Sequence, residues 1–458
     1  MENQSVITVK PLEALLMVIL ILGGISYTII SLGAVPHIPI LLATFLLIGF
    51  GLFKKVSMKE IENGMVEGAK SGLGAVMIFF FIGVLISSWM MSGTIPTFIY
   101  LALSVVDGKF FYAIVFLVTA IVGISIGSSL TTSATIGVAF ISVSTALGLS
   151  EAITAGAVIS GAFFGDKMSP LSDTTNLASM LVKVDLFEHI RNMLWTTIPA
   201  FVLSFIMFMV LSPKQADSSF QKLQSLKEGL LNAGFIHWYT LIPFVILTAL
   251  AIRKVSAILT LSAGILTAIV ISFVVNHSTT MKQIVQVLYS GYTSTTGIEE
   301  LDALLSRGGI ESMLFSISLV ILALSMGGLL FKLGILPALL DGVKGMLHKV
   351  PMLISSTAAT AIGINFLVGE QYLSILLTGN TFKEPFQKAG LHLKNLSRVL
   401  EDAGTVVNPL VPWGVCGVFL TSVLGVSTLD YLPFTFFCLF SPLLTVVYGL
   451  TGFRIIRN

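Results

Sequence analysis

Three ionisable side chains, Asp166, Lys167 and Asp173, fall within eight residues of an otherwise apolar stretch. They stand in the run Gly165-Asp166-Lys167-Met168-Ser169-Pro170-Leu171-Ser172-Asp173-Thr174-Thr175-Asn176. On insertion scales an ionised side chain at a bilayer centre costs ~2.5–3.5 kcal/mol, so a cluster of this kind needs partners or water. Pro170 has no backbone N–H and clashes with the turn before it, which predicts a helix broken at that point. The break frees carbonyls, and Ser169, Ser172, Thr174, Thr175 and Asn176 add side-chain oxygens. Carboxylates combined with neutral oxygens suit a hard cation such as sodium, so a sodium site is expected around Asp173, with Asp166 as a second acid. A purely structural alternative pairs Asp166 with Lys167 and turns the hydroxyls back onto their own helix.

A second segment, Glu401-Asp402-Ala403-Gly404-Thr405-Val406-Val407-Asn408-Pro409, has related chemistry. Pro409 disfavours helix at Asn408, which would expose both the amide oxygen and the carbonyl of that residue. Glu401 and Asp402 read more simply as acids near a cytoplasmic helix end. Two small-residue interruptions complete the set: Ser125 to Ser133, and Gly363 to Tyr372. Non-helical backbone at membrane depth survives only inside protein or beside water. Asn365 and Gln371 offer neutral oxygens in the second interruption. Glu370 is the acid there, a group able to change protonation as a nearby cation comes and goes, with helix capping as its structural alternative. Ser128, Ser129, Thr131 and Thr132 in the first interruption, helped by Lys167, could hold the carboxylate of an organic anion.

These residues need a membrane frame to position them. Of 458 residues, 55% are hydrophobic and 10% charged, against ~25% charged in soluble domains, and the mean hydropathy is +0.97. That composition excludes a soluble enzyme with a peripheral anchor, a nucleic-acid binder and a disordered scaffold. Spans of ~20 residues are expected near 11–33, 36–53, 71–93, 153–182, 195–212, 237–252, 255–275, 310–331, 399–422 and 431–451. The first of these lacks a signal-peptide cleavage pattern and reads as a retained span. Regions 110–148 and 350–380 read as re-entrant hairpins. On this topology 18 of the 25 Lys and Arg fall in inner segments and six in outer ones, leaving Lys167 within a span; the bias puts both termini in the cytoplasm. Cys416 and Cys438 lie in apolar runs and suggest neither a disulfide frame nor a thiolate metal site.

The chain also resembles itself. Gly93-x-x-Pro96 matches Gly334-x-x-Pro337, and Gly165, Pro170 and Leu171 match Gly404, Pro409 and Leu410. A constant shift through these matches puts the first hairpin tip, Gly127 to Ser133, on Phe366 to Tyr372. The expected fold is therefore an all-α polytopic membrane protein of about ten full spans, built from oppositely oriented repeats. Residues 1–230 hold hairpin 110–148 and broken helix 153–182; residues 231–458 hold hairpin 350–380 and broken helix 399–422. Inverted repeats with broken helices meeting near the midplane are a plan of secondary transporters. Residues 54–70 and 183–193 read as interfacial amphipathic helices and 213–236 as the linker. The histidines lack HxxxH or HExxH spacing and no phosphate-binding glycine loop is present, so neither a metal enzyme nor an ATP-driven pump is expected.

The run from Gly165 to Ala178, together with Asn365, Gly369-Glu370-Gln371 and Asn408-Pro409, resembles the NhaC family of bacterial sodium/proton antiporters, a family that also includes proton- and sodium-coupled malate/lactate antiporters. The resemblance implies a scaffold with paired hairpins and broken helices, and a homodimer with elevator-like motion. One departure concerns cargo: many members read Gly-Thr-Ser-Trp-Gly-Thr at the first tip, where this chain has Gly127-Ser128-Ser129-Leu130-Thr131-Thr132. The resulting expectation is a multi-pass protein of the bacterial cell membrane, without cofactor, that exchanges cytoplasmic sodium for external protons by alternating access. Malate/lactate exchange is the second transport reading, and a gated ion channel is the rival from another class. Its partners are lipid, sodium and protons, with malate and lactate on the second reading and no nucleic acid.

Overall fold

The computed structural model describes residues 5–105, 110–213, 227–276, 279–344 and 349–457. Much of the expected linker, including Lys214, Gln215, Asp217, Lys222 and Gln224, lies outside the described residues. Within them the protein is helical throughout. Among the described residues seven helices are long and apolar enough to cross a bilayer, or nine if each of two bent pairs forms one span. Large apolar side chains face outward along these helices, as with Leu12, Leu16 and Ile19 on the helix Pro11–Ile30 and Val202, Ile206 and Val210 on Leu186–Leu211. Small and hydroxyl side chains turn inward and return their protons to the preceding turn, as Thr119 does to the Val115 carbonyl at 2.7 Å. This apolar exterior is what lipid requires. The protein is an all-α polytopic membrane protein with bent and broken spans.

Four interruptions organise the interior. Helix Phe111–Ile126 stops at Gly127, whose φ of +70° is left-handed, and a new helical segment starts at Ser129. A Cβ on Gly127 would stand 2.6 Å from the Cβ of Leu171, so conformation and space both require glycine. Helix Val350–Val368 stops in the same way at Gly369, with φ of +76°, before helix Gln371–Lys388. A left-handed glycine thus ends a helix at both Gly127 and Gly369, the second within the expected tip Phe366 to Tyr372. The other two interruptions follow proline. Helix Glu151–Met168 ends at Ser169-Pro170 and resumes as Asp173–Val182. Helix Leu393–Val399 widens into a π-helical turn over Leu400–Thr405, passes through a 3-10 turn at Asn408–Leu410, and continues bent by 47° as Val415–Leu424.

Close packing holds the first of these in place. Helices Phe111–Ile126 and Glu151–Met168 touch along a glycine seam, where a Cβ on Gly165 would meet the Gly123 backbone at 2.6 Å. Such small-residue seams drive helix association where no hydrophobic effect operates. One expected element differs. Residues 183–193 are not a separate interfacial helix, because 186–193 belong to the 26-residue helix Leu186–Leu211. Asp185 caps its start, accepting from the Phe187 and Glu188 N–H groups at 3.0 Å each, and no breaker follows until Pro199. At ~1.5 Å per residue this helix exceeds the ~30 Å hydrocarbon core.

Candidate ion-binding site

The first broken helix sets the geometry. After Met168 the chain turns extended at Ser169, and the Ser169 N–H donates to the Asp166 carbonyl at 3.0 Å. Ser172 caps the resumed helix, its hydroxyl accepting from the Thr175 N–H at 3.4 Å. Asn176 spends both amide hydrogens on the freed carbonyls of Pro170 (3.0 Å) and Ser172 (2.7 Å), and Thr175 donates to the Lys167 carbonyl at 3.2 Å. The broken backbone is therefore satisfied locally, as burial demands.

Asp166 reaches across the seam. Its Oδ2 accepts from the N–H of Ser129 at 3.1 Å and from the Ser129 hydroxyl at 2.7 Å. These donors sit on the first turn of the helical segment after Gly127, where the backbone partial charge is positive. The other hydroxyls of this tip are turned inward: Ser128 donates to Thr131, and Thr132 to the Ser128 carbonyl. Asp173 stands at the first position of its own helix, is exposed, and receives no hydrogen bond on its carboxylate among the described residues.

Both acids line one cavity of about 680 Å³, together with Ser128, Ser129, Thr131, Thr174, Asn176, Gln371 and Tyr372. Its far wall comes from Leu247, Ala251 and the Lys254 to Thr260 region. Gln371 is buried there with its amide oxygen unpartnered. Two carboxylates and a spare amide oxygen form a donor set for a hard, weakly hydrated cation.

The remaining candidates from the sequence stand behind the lining, Ser172 with its hydroxyl on Asp166. Ser169, Ser172, Thr175, Thr132, Lys167, Asn365, Glu370 and Asn408 are absent from the cavity lining. Asn365 and Asn408 meet each other instead: the Asn408 amide donates to Asn365 Oδ1 at 2.8 Å, and Asn408 Oδ1 accepts from the Cys416 N–H at 2.8 Å. Asn365 in turn donates to the Gly404 carbonyl at 2.6 Å. The pair locks the second broken helix to the helix ending at Gly369. Glu370 caps helix Gln371–Lys388, its Oε2 accepting from the Leu373 N–H at 2.7 Å. An amide oxygen can replace that acceptor. Glu370→Gln is therefore expected to keep the native unfolding midpoint, whereas Glu370→Ala lowers thermal stability by ~0.5–2 kcal/mol, the usual value of a cap.

Lys167 takes neither Asp166 nor the cavity as its partner. It pairs with Asp402 of the second broken helix, both side chains wholly buried, and the Thr445 hydroxyl also donates to Asp402. The ammonium lies 5.7 Å from the centre of the Phe437 ring.

A profile of the Na+/H+ antiporter family matches residues 161–453, a region that contains the break at Ser169-Pro170 with its acids and the whole second set of interruptions. The chain is 43% identical to the Na(+)/H(+) antiporter NhaC of Alkalihalophilus pseudofirmus over 438 residues, covering 95% of each chain. The chain belongs to the Na+/H+ antiporter family. Also similar are the NhaC antiporter of Bacillus subtilis, 40% identical over 90% of this chain and 92% of that one, and the malate-2H(+)/Na(+)-lactate antiporter of the same organism, 35% identical over 96% and 95%. This is a family of transporters, not of enzymes, and among the described residues no group of three His, Cys, Asp or Glu could hold a metal ion.

In this antiporter chain the residues that sequence reasoning underrated are Glu401 and Asp402. Both are fully buried, not placed at an accessible helix end. The signal was available in part, since they precede the Asn408-Pro409 break much as Asp166 precedes Ser169-Pro170. What turns them inward is the π-helical turn, which has no sequence signature of its own.

Proposed function

We propose that the protein exchanges sodium for protons by alternating access, with Asp166 and Asp173 as the acids that bind either ion. The observation carrying this reading is the convergence of the two carboxylates and the free Gln371 oxygen on one cavity. Sodium between the acids favours their ionised forms and expels protons; protonation removes the charge and releases sodium. Thr174 and Ser129 supply hydroxyls at the rim, while Asn365, Asn408 and Glu370 hold the interruptions that shape it.

Organic-acid exchange would set a dianion against the two cavity acids. Lys167 is committed to Asp402, and among the lining residues only Lys254, in the loop after helix Ile242–Ile252, is cationic. The cavity suits a cation better than a dicarboxylate. In proteoliposomes with a trapped pH dye, a sodium gradient is expected to move protons in the opposite direction. Labelled malate is expected not to enter against internal lactate. Lactate-dependent malate uptake without sodium-driven proton movement would reverse the assignment.

In the accompanying architecture, about ten spans form two oppositely oriented halves, residues 1–230 and 231–458, with both termini in the cytoplasm of a bacterial cell. The matched left-handed glycines, Gly93 with Gly334 and Gly127 with Gly369, support the halves. The excess of inner Lys and Arg supports the orientation. On that orientation the cavity, which reaches the loop at Lys254–Ser256, faces inward. A homodimer completes the proposal.

A further inference from the structure

The cavity leaves Glu401 without a task. The side chain is 0% exposed, no cation pairs with it among the described residues, and the hydroxyl near its carboxylate is Thr405 of the same turn. It sits in the π-helical turn Leu400–Thr405, a wide turn of the kind that recurs at functional sites. A buried ionised carboxylate without partners costs several kcal/mol, so its place needs a reason that packing does not supply.

Its surroundings suggest one. Lys167, Asp166 and Asp402 act on Glu401 through their charges. Asp402 already takes the Lys167 ammonium and the Thr445 hydroxyl, so the lysine is near Glu401 but not spent on it. Helices packed against the turn bring little other charge. Val350–Val368 has no ionisable residue, and Phe436–Thr451 offers only Cys438 and Tyr448. On Gln371–Lys388 the ionisable groups are Tyr372, Lys383, Glu384 and Lys388; Lys383 donates to the Leu181 carbonyl and Lys388 pairs with Glu384. Asp173 begins the neighbouring helix but opens to the cavity. Lys394 pairs with Glu188, and Arg398 donates to the Arg454 carbonyl. His189, whose two ring nitrogens are both buried and unpartnered, lies within electrostatic reach of Lys167.

We propose that Glu401 is a proton-binding site of the exchange, separate from the cation cavity and linked to it through Asp166 and Lys167. With the cavity empty of sodium, a Glu401 oxygen forms an O–H bond to a proton delivered by water, and the neutral acid needs no ionic partner. When sodium enters between Asp166 and Asp173, its positive charge disfavours that proton. The O–H bond breaks, the proton returns to water, and the carboxylate left behind faces Lys167. The positive charge that enters with sodium offsets the negative charge that the departing proton leaves on Glu401, which limits the desolvation cost of that carboxylate.

This inference rests on the exchange reading, and the test separates the two. Wild-type proteoliposomes are assayed first; absence of sodium-driven proton movement there would refute the exchange reading whatever Glu401 does. Given active wild type, Glu401→Gln is expected to lose sodium/proton exchange by about tenfold or more while counterflow of radioactive sodium against sodium persists, since the cavity acids are untouched. A folded, monodisperse Glu401→Gln protein that keeps proton exchange, or that loses sodium counterflow as well, overturns the proposal. Glu401→Asp keeps a titratable group at a changed distance from Lys167, so its exchange should survive with a displaced pH profile. A profile superimposable on wild type overturns the proposal even if the Gln variant does not fold.

Discussion

Asp173→Asn is expected to abolish sodium-driven proton movement in reconstituted vesicles while the protein remains folded. The carboxylate points into the cavity without a protein donor, and the helix it begins is capped by the Ser172 hydroxyl. Substitution therefore removes a charge and leaves the break intact. The structural loss is the favourable placement of an acid at a helix start, ~0.3–1 kcal/mol. The functional loss is larger. A charge-assisted contact is worth ~1.5–3 kcal/mol, so sodium affinity should fall by about tenfold to a hundredfold, and an amide cannot carry the exchanged proton at all.

Asp166→Asn should also abolish exchange, with an added structural effect. Asp166 Oδ2 receives both donors of Ser129, so the substitution weakens the tie between the first broken helix and the tip after Gly127. Its thermal midpoint is expected to fall below that of Asp173→Asn. Dye-monitored exchange and thermal unfolding in detergent separate the two contributions. Wild-type exchange by Asp173→Asn would remove that acid from the mechanism, and equal midpoints for the two variants would deny Asp166 its anchoring part.

The contrast between these acids shows what could be read in advance. Pro170 and Pro409 announce breaks because proline alters the backbone wherever it stands, and both helices break beside them. The apolar composition likewise forces a membrane fold, whatever the details of packing. The left-handed glycines were harder to read. Gly127 and Gly369 are two of many glycines, and a shift set by the prolines reached the tip Phe366 to Tyr372 without singling out Gly369. Hardest were residues whose role depends on a distant partner. Asn365 and Asn408 have the chemistry of cation ligands, yet their amides are consumed in joining one another. Glu370 has the chemistry of a proton site, and its Oε2 caps helix Gln371–Lys388. Gln371, next to it, is the residue whose oxygen stays free. Side-chain type limits what a residue can do; the neighbour that claims its hydrogen-bonding capacity decides what it does.

Lys167 carries that principle to its largest energetic consequence. The pair with Asp402 joins the two broken helices through a contact sealed from water on both sides. Removing one partner strands the other charge, and breaking a buried pair in this way costs ~3–5 kcal/mol, a large part of the ~5–15 kcal/mol that holds a typical fold together. Lys167→Met and Asp402→Leu should each lower the unfolding midpoint sharply, the first leaving Asp402 with the Thr445 hydroxyl, the more distant charge of Arg398 and Glu401 close by. Because well-packed apolar replacements of a whole pair are often neutral or stabilising, Lys167→Met combined with Asp402→Leu should recover most of the loss. The recovery is the informative measurement. It would show that the cost of each single change is an uncompensated charge, and that the bridge ties the two broken helices into one body. A double variant no more stable than the singles would mean that Lys167 and Asp402 act through separate contacts, and would take away the mechanical link that lets an ion at the first break be felt at the second.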